Sequence, residues 1–217
     1  MAEKETARKS EKLVALLEVG RRLASNMDLD SLLGLIIEQA TAVMEADRSS
    51  LFLVDKNTNE LWSKIAMGAD EIRFPIGKGI AGYVAQTGEI INIPDAYSDP
   101  RFNPEVDKRT GYHTRTILCA PLKAIDGETV GVIQVLNKKG RGKPVFTEED
   151  EEILTALAGQ AAVAITNAVY HREVLAKQKL ERDLQIARSV QESFLPAELP
   201  KRKGFQFGAY YRAAQEV

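Results

Sequence analysis

The stretch Thr114-Arg-Thr-Ile-Leu-Cys-Ala-Pro-Leu-Lys-Ala-Ile-Asp-Gly-Glu-Thr-Val-Gly-Val-Ile-Gln-Val-Leu-Asn-Lys138 decides the fold. Two runs rich in β-branched and apolar residues, 114–123 and 128–138, flank Asp126-Gly127, a dipeptide that tight hairpins favour. They read as adjacent antiparallel strands. Side chains alternate along a strand, so Val132, Gln134 and Leu136 share one face of the second run and Ile133 and Val135 the other. Gln134 is the polar member of an otherwise apolar face.

Upstream, Ser50-Leu-Phe-Leu-Val-Asp55 and Leu61-Trp-Ser-Lys-Ile-Ala66 flank the turn residues Asn57-Thr-Asn59 and predict a second strand pair. Gly77-Lys-Gly-Ile-Ala-Gly-Tyr-Val-Ala85 is a glycine-rich opening of a short helix, and 90–93 is a brief strand closed by Pro94-Asp95. The polar stretch from Ala96 to His113 is too long for a tight turn and reads as a functional loop. Two helices precede the sheet. The first, over about 5–25, places Leu13, Val14, Leu16, Leu17 and Leu23 at helical spacing among charged residues. The second follows Asp28, a good N-cap, and carries Leu32, Leu33, Ile36, Ile37, Ala40, Val43 and Met44 on one broad face.

Downstream, Thr147 opens a very long helix whose first turn holds Glu148, Glu149, Asp150 and Glu151, where the helix dipole favours acids. Apolar spacing runs through Ile153, Leu154, Leu157, Ala161, Ile165, Ala168 and Leu175, then Leu180, Leu184, Ala187 and Phe194, until Pro196 stops it. Such a helix reaches about 70 Å at ~1.5 Å per residue, more than a compact domain requires. The surplus apolar stripe needs a partner, and a second copy of the chain supplies one, which predicts a homodimeric bundle or coiled coil. Leu175 and Leu180 lie five apart, so one heptad register does not run throughout; the break is either a signalling joint or a stretch without consequence. The order of elements predicts an α+β fold, with a central antiparallel sheet, helices packed on one side, and long N- and C-terminal flanking helices.

Composition narrows the function classes. Lys plus Arg number 29 against 31 Asp plus Glu, a net charge of -2 that favours neither nucleic acid nor an anionic membrane as partner. The single cysteine, Cys119, sits among apolar neighbours and reads as a core residue. His113 and His171 are far apart and lack zinc-site spacing, so no metal site is expected. No uninterrupted apolar run approaches the ~20 residues that cross a bilayer. The charged N-terminus has no signal-peptide core, and the expected location is the cytoplasm.

A recognisable pattern surrounds the last strand: Asn137-Lys138, then Phe146, then Asp150-Glu151. With it stand Ser50-Leu-Phe-Leu-Val-Asp, Gly79-Ile-Ala-Gly, Asn92-Ile-Pro-Asp-Ala-Tyr, Asp99-Pro-Arg-Phe, Asp107, Thr110-Gly-Tyr and Ile117-Leu-Cys-Ala-Pro-Leu. Together, over about 29–170, these resemble the GAF domains of cyclic-nucleotide phosphodiesterases and adenylate cyclases, including their Asn-Lys-Phe-Asp-Glu motif. The resemblance implies a GAF fold and a ligand pocket built by Ser50, Ile80, Ala81, Asp107, Thr110, Thr114 and Gln134. In that family, helix-start amides and threonine hydroxyls receive a cyclic phosphate, which agrees with anion capture at helix N-termini. Two departures matter. The Phe-Asp pair that holds guanine in some relatives is Ala66-Met67 here, and a thioether cannot accept from a purine N–H as a carboxylate does. This argues against cGMP and leaves cAMP, another nucleotide, or nothing. A loop aromatic is also replaced, by Asn103. For the motif itself the resemblance implies a structural role, with Lys138 paired to Asp150 and fastening the last strand to the long helix. Thr147 and Asp150 independently look like an N-cap and its N3 acid.

Farther on, Ile186-Ala187, Val190-Gln-Glu-Ser-Phe-Leu-Pro196, Gly204, Tyr210-Tyr211 and Ala214-Gln-Glu-Val217 resemble the opening of the RsbU and SpoIIE family of metal-dependent serine phosphatases, with Ala213 where proline is usual. The family would next supply Gly-Gly-Asp, whose Asp is the first ligand of a manganese or magnesium pair. The expected organisation is therefore an N-terminal helix (1–27), a GAF sensor (28–170), a linker helix (171–195) and the beginning of a phosphatase domain (196–217). The chain itself is expected to have no catalytic residues and no cofactor. Its parent is expected to be an enzyme acting on an anti-anti-sigma-type phosphoprotein. A ligand-free dimerisation scaffold is the alternative function.

Overall fold

In the computed structural model, residues 28–63, 72–142, 144–193, 203–204 and 208 are described. Asp28 caps helix α1 (Leu29–Val43): its Oδ1 accepts the backbone N–H of Ser31 at 3.1 Å, satisfying a donor that the helix start leaves open. Six strands follow: β1 (Ala46–Asp55), β2 (Glu60–Ser63), β3 (Ile72–Pro75), β4 (Ile91–Ile93), β5 (Ile117–Lys123) and β6 (Thr129–Lys138). They form one sheet in the order β3-β2-β1-β6-β5-β4 with every neighbouring pair antiparallel. Between them lie α2 (Gly79–Thr87), a 3₁₀ turn (Ala96–Ser98) and α3 (Glu105–Thr110); α4 (Glu148–Ser193) ends the series.

The sheet centre is apolar on both faces. Leu51, Leu53, Leu118, Ala120, Ile133 and Val135 point to one side and pack with α1 and with Leu154, Leu157, Ala158, Ala161 and Ile165 of α4. Phe52, Ile117, Cys119 and Val132 point to the other, beneath Ile80, Ala81 and Val84 of α2. Helices therefore cover both faces, which corrects the expectation of helices on one side. The physical reason is the continuous run of apolar residues in the three central strands: each face has to be shielded from water, and the two long helices can reach only one.

Three further differences concern boundaries. β5 begins at Ile117, three residues later than the sequence suggests, because the backbone at 114–116 is bonded by side chains of Asp107 and Asn137. The stretch 96–113 is not a structureless loop: it holds the 3₁₀ turn and α3, closed by the left-handed Gly111. Strand β3, with Ile72 and Phe74 alternating with Arg73, escapes a reading tuned to longer runs. The expected helix over 5–25, the end of the Leu61–Ala66 strand, Met67 and the expected phosphatase opening over 196–217 lie outside the described residues, apart from 203–204 and 208.

At the sheet centre Gly131 sets the distance between β1 and β6. A Cβ there would stand 2.5 Å from the Phe52 carbonyl oxygen and 2.9 Å from Leu122 Cδ1, so only glycine fits. The chain divides into two compact units, 1–169 and 170–217. In the first, α4 contributes buried residues from Ile153 to Ile165. In the second, Tyr170, Leu175, Leu180, Leu184, Ile186 and Val190 of α4 are exposed. By composition alone, α4 holds a window apolar enough to cross a membrane. Its residues between Ile153 and Ile165 are the ones that cover the sheet.

Candidate functional site

Cross-strand register builds a row on the α2 side of the sheet. Ser50 faces Gln134, Gln134 faces Cys119, and Cys119 faces Ile91. Phe52, Val132, Ile117 and the half-buried Leu136 surround the row with apolar surface. Burial pushes the Cys119 thiol well above its ordinary range, so it serves as a packed apolar group rather than a nucleophile. Ser50 and Gln134 differ from their neighbours. Both are half-buried, neither side chain has a hydrogen-bond partner among the described residues, and neither is sealed from solvent. A hydroxyl and an amide thus stand side by side, unbonded, on an apolar floor.

Helix α2 lies over this floor. Gly79 takes a left-handed φ of 71° at the helix start, and the capping Lys78 gives no side-chain bond to the helix, so the first-turn amides around Ile80 and Ala81 have no capping partner. Gly82 permits α2 to fold back on its own preceding turn. A Cβ there would lie 3.0 Å from the Gly77 nitrogen, and Gly77 N–H donates to the Gly82 carbonyl at 2.9 Å. Arg101 pins the 3₁₀ segment to this helix: it stacks 4.6 Å from the Tyr83 ring centre while bonding both carboxylate oxygens of Asp99, at 2.9 and 2.6 Å. That hydrogen bonding holds the Asp99 carboxyl below its ordinary range.

The threonines and Asp107 already have hydrogen-bond partners of their own. Asp107 is buried, and its carboxylate accepts from Thr114 N–H at 2.6 Å, Thr114 Oγ1 at 2.8 Å and the Tyr97 hydroxyl at 3.1 Å. Asp107 and Thr114 are therefore each other's partners and latch α3 onto the segment before β5. Thr110 is exposed, and its hydroxyl donates back to the Val106 carbonyl at 2.8 Å. Of the seven pocket positions, the sheet and α2 bring Ser50, Gln134, Ile80 and Ala81 to one face; α3 carries the Asp107–Thr114 latch and Thr110.

Asn137, Lys138, Phe146, Asp150 and Glu151 form one fastening. Lys138 Nζ donates to Asp150 Oδ1 at 2.9 Å and to the Met44 carbonyl at 3.0 Å, and lies 5.7 Å from the Phe146 ring centre. Asp150 also accepts the Thr147 N–H at 3.0 Å while Thr147 Oγ1 accepts the Asp150 N–H at 3.3 Å, a reciprocal cap of α4. Glu151 accepts from Asn92 Nδ2 at 2.8 Å, and the same nitrogen donates to the Phe146 carbonyl at 3.0 Å, tying β4 to α4. These residues hold secondary structure together and leave the α2 face to others.

Sequence reasoning missed Arg48 and Tyr112. The Arg48 guanidinium lies 4.1 Å from the Tyr112 ring centre, and Arg48 shares the β1 face of Ser50 and Phe52. Burial, with the nearby Asp47 charge, raises the Tyr112 hydroxyl above its ordinary range. No local pattern announces a contact over 64 positions. No group of three or more metal-ligating side chains occurs among the described residues.

The model of the family described as GAF domain matches residues 28–165, the span that holds the sheet, both face-covering layers and the Lys138–Asp150 fastening. The chain belongs to the GAF family. This GAF chain is 42% identical over 165 residues to the dual 3',5'-cyclic-AMP and -GMP phosphodiesterase 11A of Takifugu rubripes, covering 70% of the chain and 18% of that protein. It is 37% identical over 187 residues to the probable 3',5'-cyclic phosphodiesterase pde-5 of Caenorhabditis elegans, covering 79% and 25%. The chain thus spans a quarter or less of the length of these relatives. Among solved structures it resembles the GAF domain of a phosphoenolpyruvate-protein phosphotransferase from Coxiella burnetii, with a TM-score of 0.66 at 24% identity, covering 76% of this chain and 98% of that one. It also resembles the free methionine-R-sulfoxide reductase of Neisseria meningitidis, with a TM-score of 0.60 at 18% identity, covering 75% and 93%. Both structural likenesses speak for the fold alone.

Proposed function

We propose that this GAF chain is the sensing part of a signalling protein, taking a cyclic nucleotide or a related nucleotide between α2 and the sheet. The observation that carries this reading is the unbonded pair Ser50–Gln134 on an apolar floor, facing a helix whose first-turn amides are also free of a side-chain cap. A nucleotide matches that arrangement: apolar walls accept a base, a hydroxyl and an amide orient it, and helix-start amides attract a phosphate. The likeness to two cyclic-nucleotide phosphodiesterases supports the same ligand class. Met67 in place of a carboxylate favours cAMP over cGMP, an argument from sequence alone.

The output is proposed to run through α4 to a C-terminal protein serine phosphatase of the RsbU and SpoIIE type, on the resemblance over 184–217. That domain would use manganese or magnesium and act on an anti-anti-sigma-type phosphoprotein in the cytoplasm. The exposed apolar residues Leu175, Leu180 and Leu184 support a homodimer through α4. For ligand to switch the output it has to favour one arrangement of paired helices over another, since equal affinity for both shifts nothing.

Thermal unfolding with and without cAMP, cGMP and a small nucleotide panel tests the sensor. A hundredfold excess over Kd stabilises by about 2.7 kcal/mol, which raises the midpoint by several degrees. A rise with cAMP is expected; a rise with cGMP alone contradicts the Met67 argument, and no rise with any nucleotide contradicts the sensor. One observation favours the second function, a ligand-free dimerisation scaffold: Asp107 and Thr114 already satisfy each other. That reading expects dimers and no nucleotide response.

A further inference from the structure

Asn137 occupies a left-handed φ of 55°, a region that asparagine tolerates better than other side-chain-bearing residues. Its amide makes four bonds to one short segment. Oδ1 accepts from Arg115 N–H at 2.6 Å and Thr116 N–H at 3.3 Å; Nδ2 donates to the Tyr112 hydroxyl at 2.8 Å and the His113 carbonyl at 2.9 Å. The same segment is gripped from its other side by Asp107 of α3 through Thr114. Residues 112–116 therefore lie between two clamps, one belonging to α3 and one to β6.

The residue after Asn137 continues the connection. Lys138 N–H donates to Thr116 Oγ1 at 3.0 Å, and the Lys138 ammonium donates to Asp150 Oδ1 at 2.9 Å within the cap of α4. Lys138 and Asp150 are both almost fully buried, so this contact is little screened by water and poorly tolerant of displacement. From α3 to the first turn of α4 there is thus an unbroken chain of hydrogen bonds and peptide bonds: Asp107, Thr114, Thr116, Asn137, Lys138, Asp150.

We propose that Asn137 is a positioning residue for the flap formed by α3, and that Asn137–Lys138 passes the state of that flap to the cap of α4. When α3 is latched through Asp107, segment 112–116 is drawn taut against Asn137 and the α4 cap is closed. When the latch opens, Thr116 slackens, Lys138 loses a backbone tether, and the first turn of α4 frays. The purpose of the device rests on the ligand reading above, since a ligand in the α2 pocket is what would move α3; its existence does not.

Native-state amide exchange on the full chain without nucleotide tests it. Asp107→Asn weakens the latch while keeping its shape. It is expected to speed exchange at Thr114 and Thr116 and, by about threefold to thirtyfold, at Thr147, Asp150 and Glu151, leaving α1 amides unchanged. In an Asn137→Gly background, where the left-handed backbone is comfortable and only the amide clamp is lost, Asp107→Asn no longer moves Thr147, Asp150 and Glu151. Asn137→Asp keeps the acceptor and loses the donor pair, and falls between the two. Unchanged exchange at the α4 cap in Asp107→Asn overturns the proposal. So does an equal rise in α1, which is general loosening, and so does intact protection of 112–116 in Asn137→Gly. Because no nucleotide is present, failure to bind one would remove the proposed ligand and leave this result standing, and the reverse holds equally.

Discussion

The two faces of the sheet are covered in opposite ways. On the α1 and α4 face, Leu32, Ile36, Leu118, Ile133, Leu154 and Leu157 meet in a contiguous apolar core, closed at one edge by Lys138 and Asp150. On the α2 and α3 face, the apolar cover is thinner among the described residues, and polar groups intrude: Ser50 and Gln134 unbonded, Asp107 and Thr114 bonded to each other. One face is organised for stability. The other leaves hydrogen-bonding capacity unused beside apolar walls, which costs stability unless water or a ligand meets it. The difference separates the scaffold from the proposed pocket more sharply than any single motif does.

Substitutions can break or sharpen that contrast. The largest expected effect is on the stability face: Leu154→Ala, at a fully buried site, should cost about 3–4 kcal/mol in denaturant unfolding. Next, Lys138→Met should cost about 3 kcal/mol, because it removes the ammonium that is paired with the buried Asp150 carboxylate. A loss of under about 0.5 kcal/mol would mean the pair is not a structural fastening. On the opposite face, Gln134→Leu should change stability by less than about 0.5 kcal/mol, or raise it, since no bond of the amide is lost. A large destabilisation there would make Gln134 a core residue and erase the contrast.

The smallest effect concerns Asp99, whose carboxyl is held below its ordinary 3.8 by the Arg101 hydrogen bonds. A depressed carboxyl contributes stability that is present above its unfolded value and lost as pH falls through the folded one. Arg101→Gln should therefore lower stability by about 0.5 kcal/mol near pH 7, with the difference from wild type vanishing as pH falls well below 3.8. Denaturant midpoints at the two pH values measure it. A constant difference across pH would assign the role of Arg101 to its stacking on Tyr83 instead.

What the sequence made legible follows from how local the physics is. The Asp28 cap, the alternation around Gln134 and the Asp126-Gly127 turn are governed by neighbours within a few residues, and each stands in the structure as read. The start of α4 is local too, since Thr147 and Asp150 cap it three residues apart. What escaped depends on distant partners. The strand reading of Thr114–Thr116 fails because Asp107 and Asn137, seven and about twenty residues away, capture those amides. Alternation shows that a strand has two faces but not which helix covers each, so the expectation of helices on one side does not reveal that α2 covers the face opposite α1 and α4. The pocket positions came from the family resemblance; that Ser50 faces Gln134 is a register between distant strands, and the pairing of Asp107 with Thr114 depends on the path of the chain between them.

Calorimetric titration of the chain and of its Gln134→Leu variant with cAMP and cGMP tests the division between the two faces most directly. The expected result is saturable cAMP binding to the chain, weakened at least about tenfold in Gln134→Leu, the scale of one lost hydrogen bond in a dry site, at unchanged stability. Binding of equal strength in both would place the ligand elsewhere. No binding to the chain at all would contradict the assignment of the α2 face to ligand and leave it a second, thinner core.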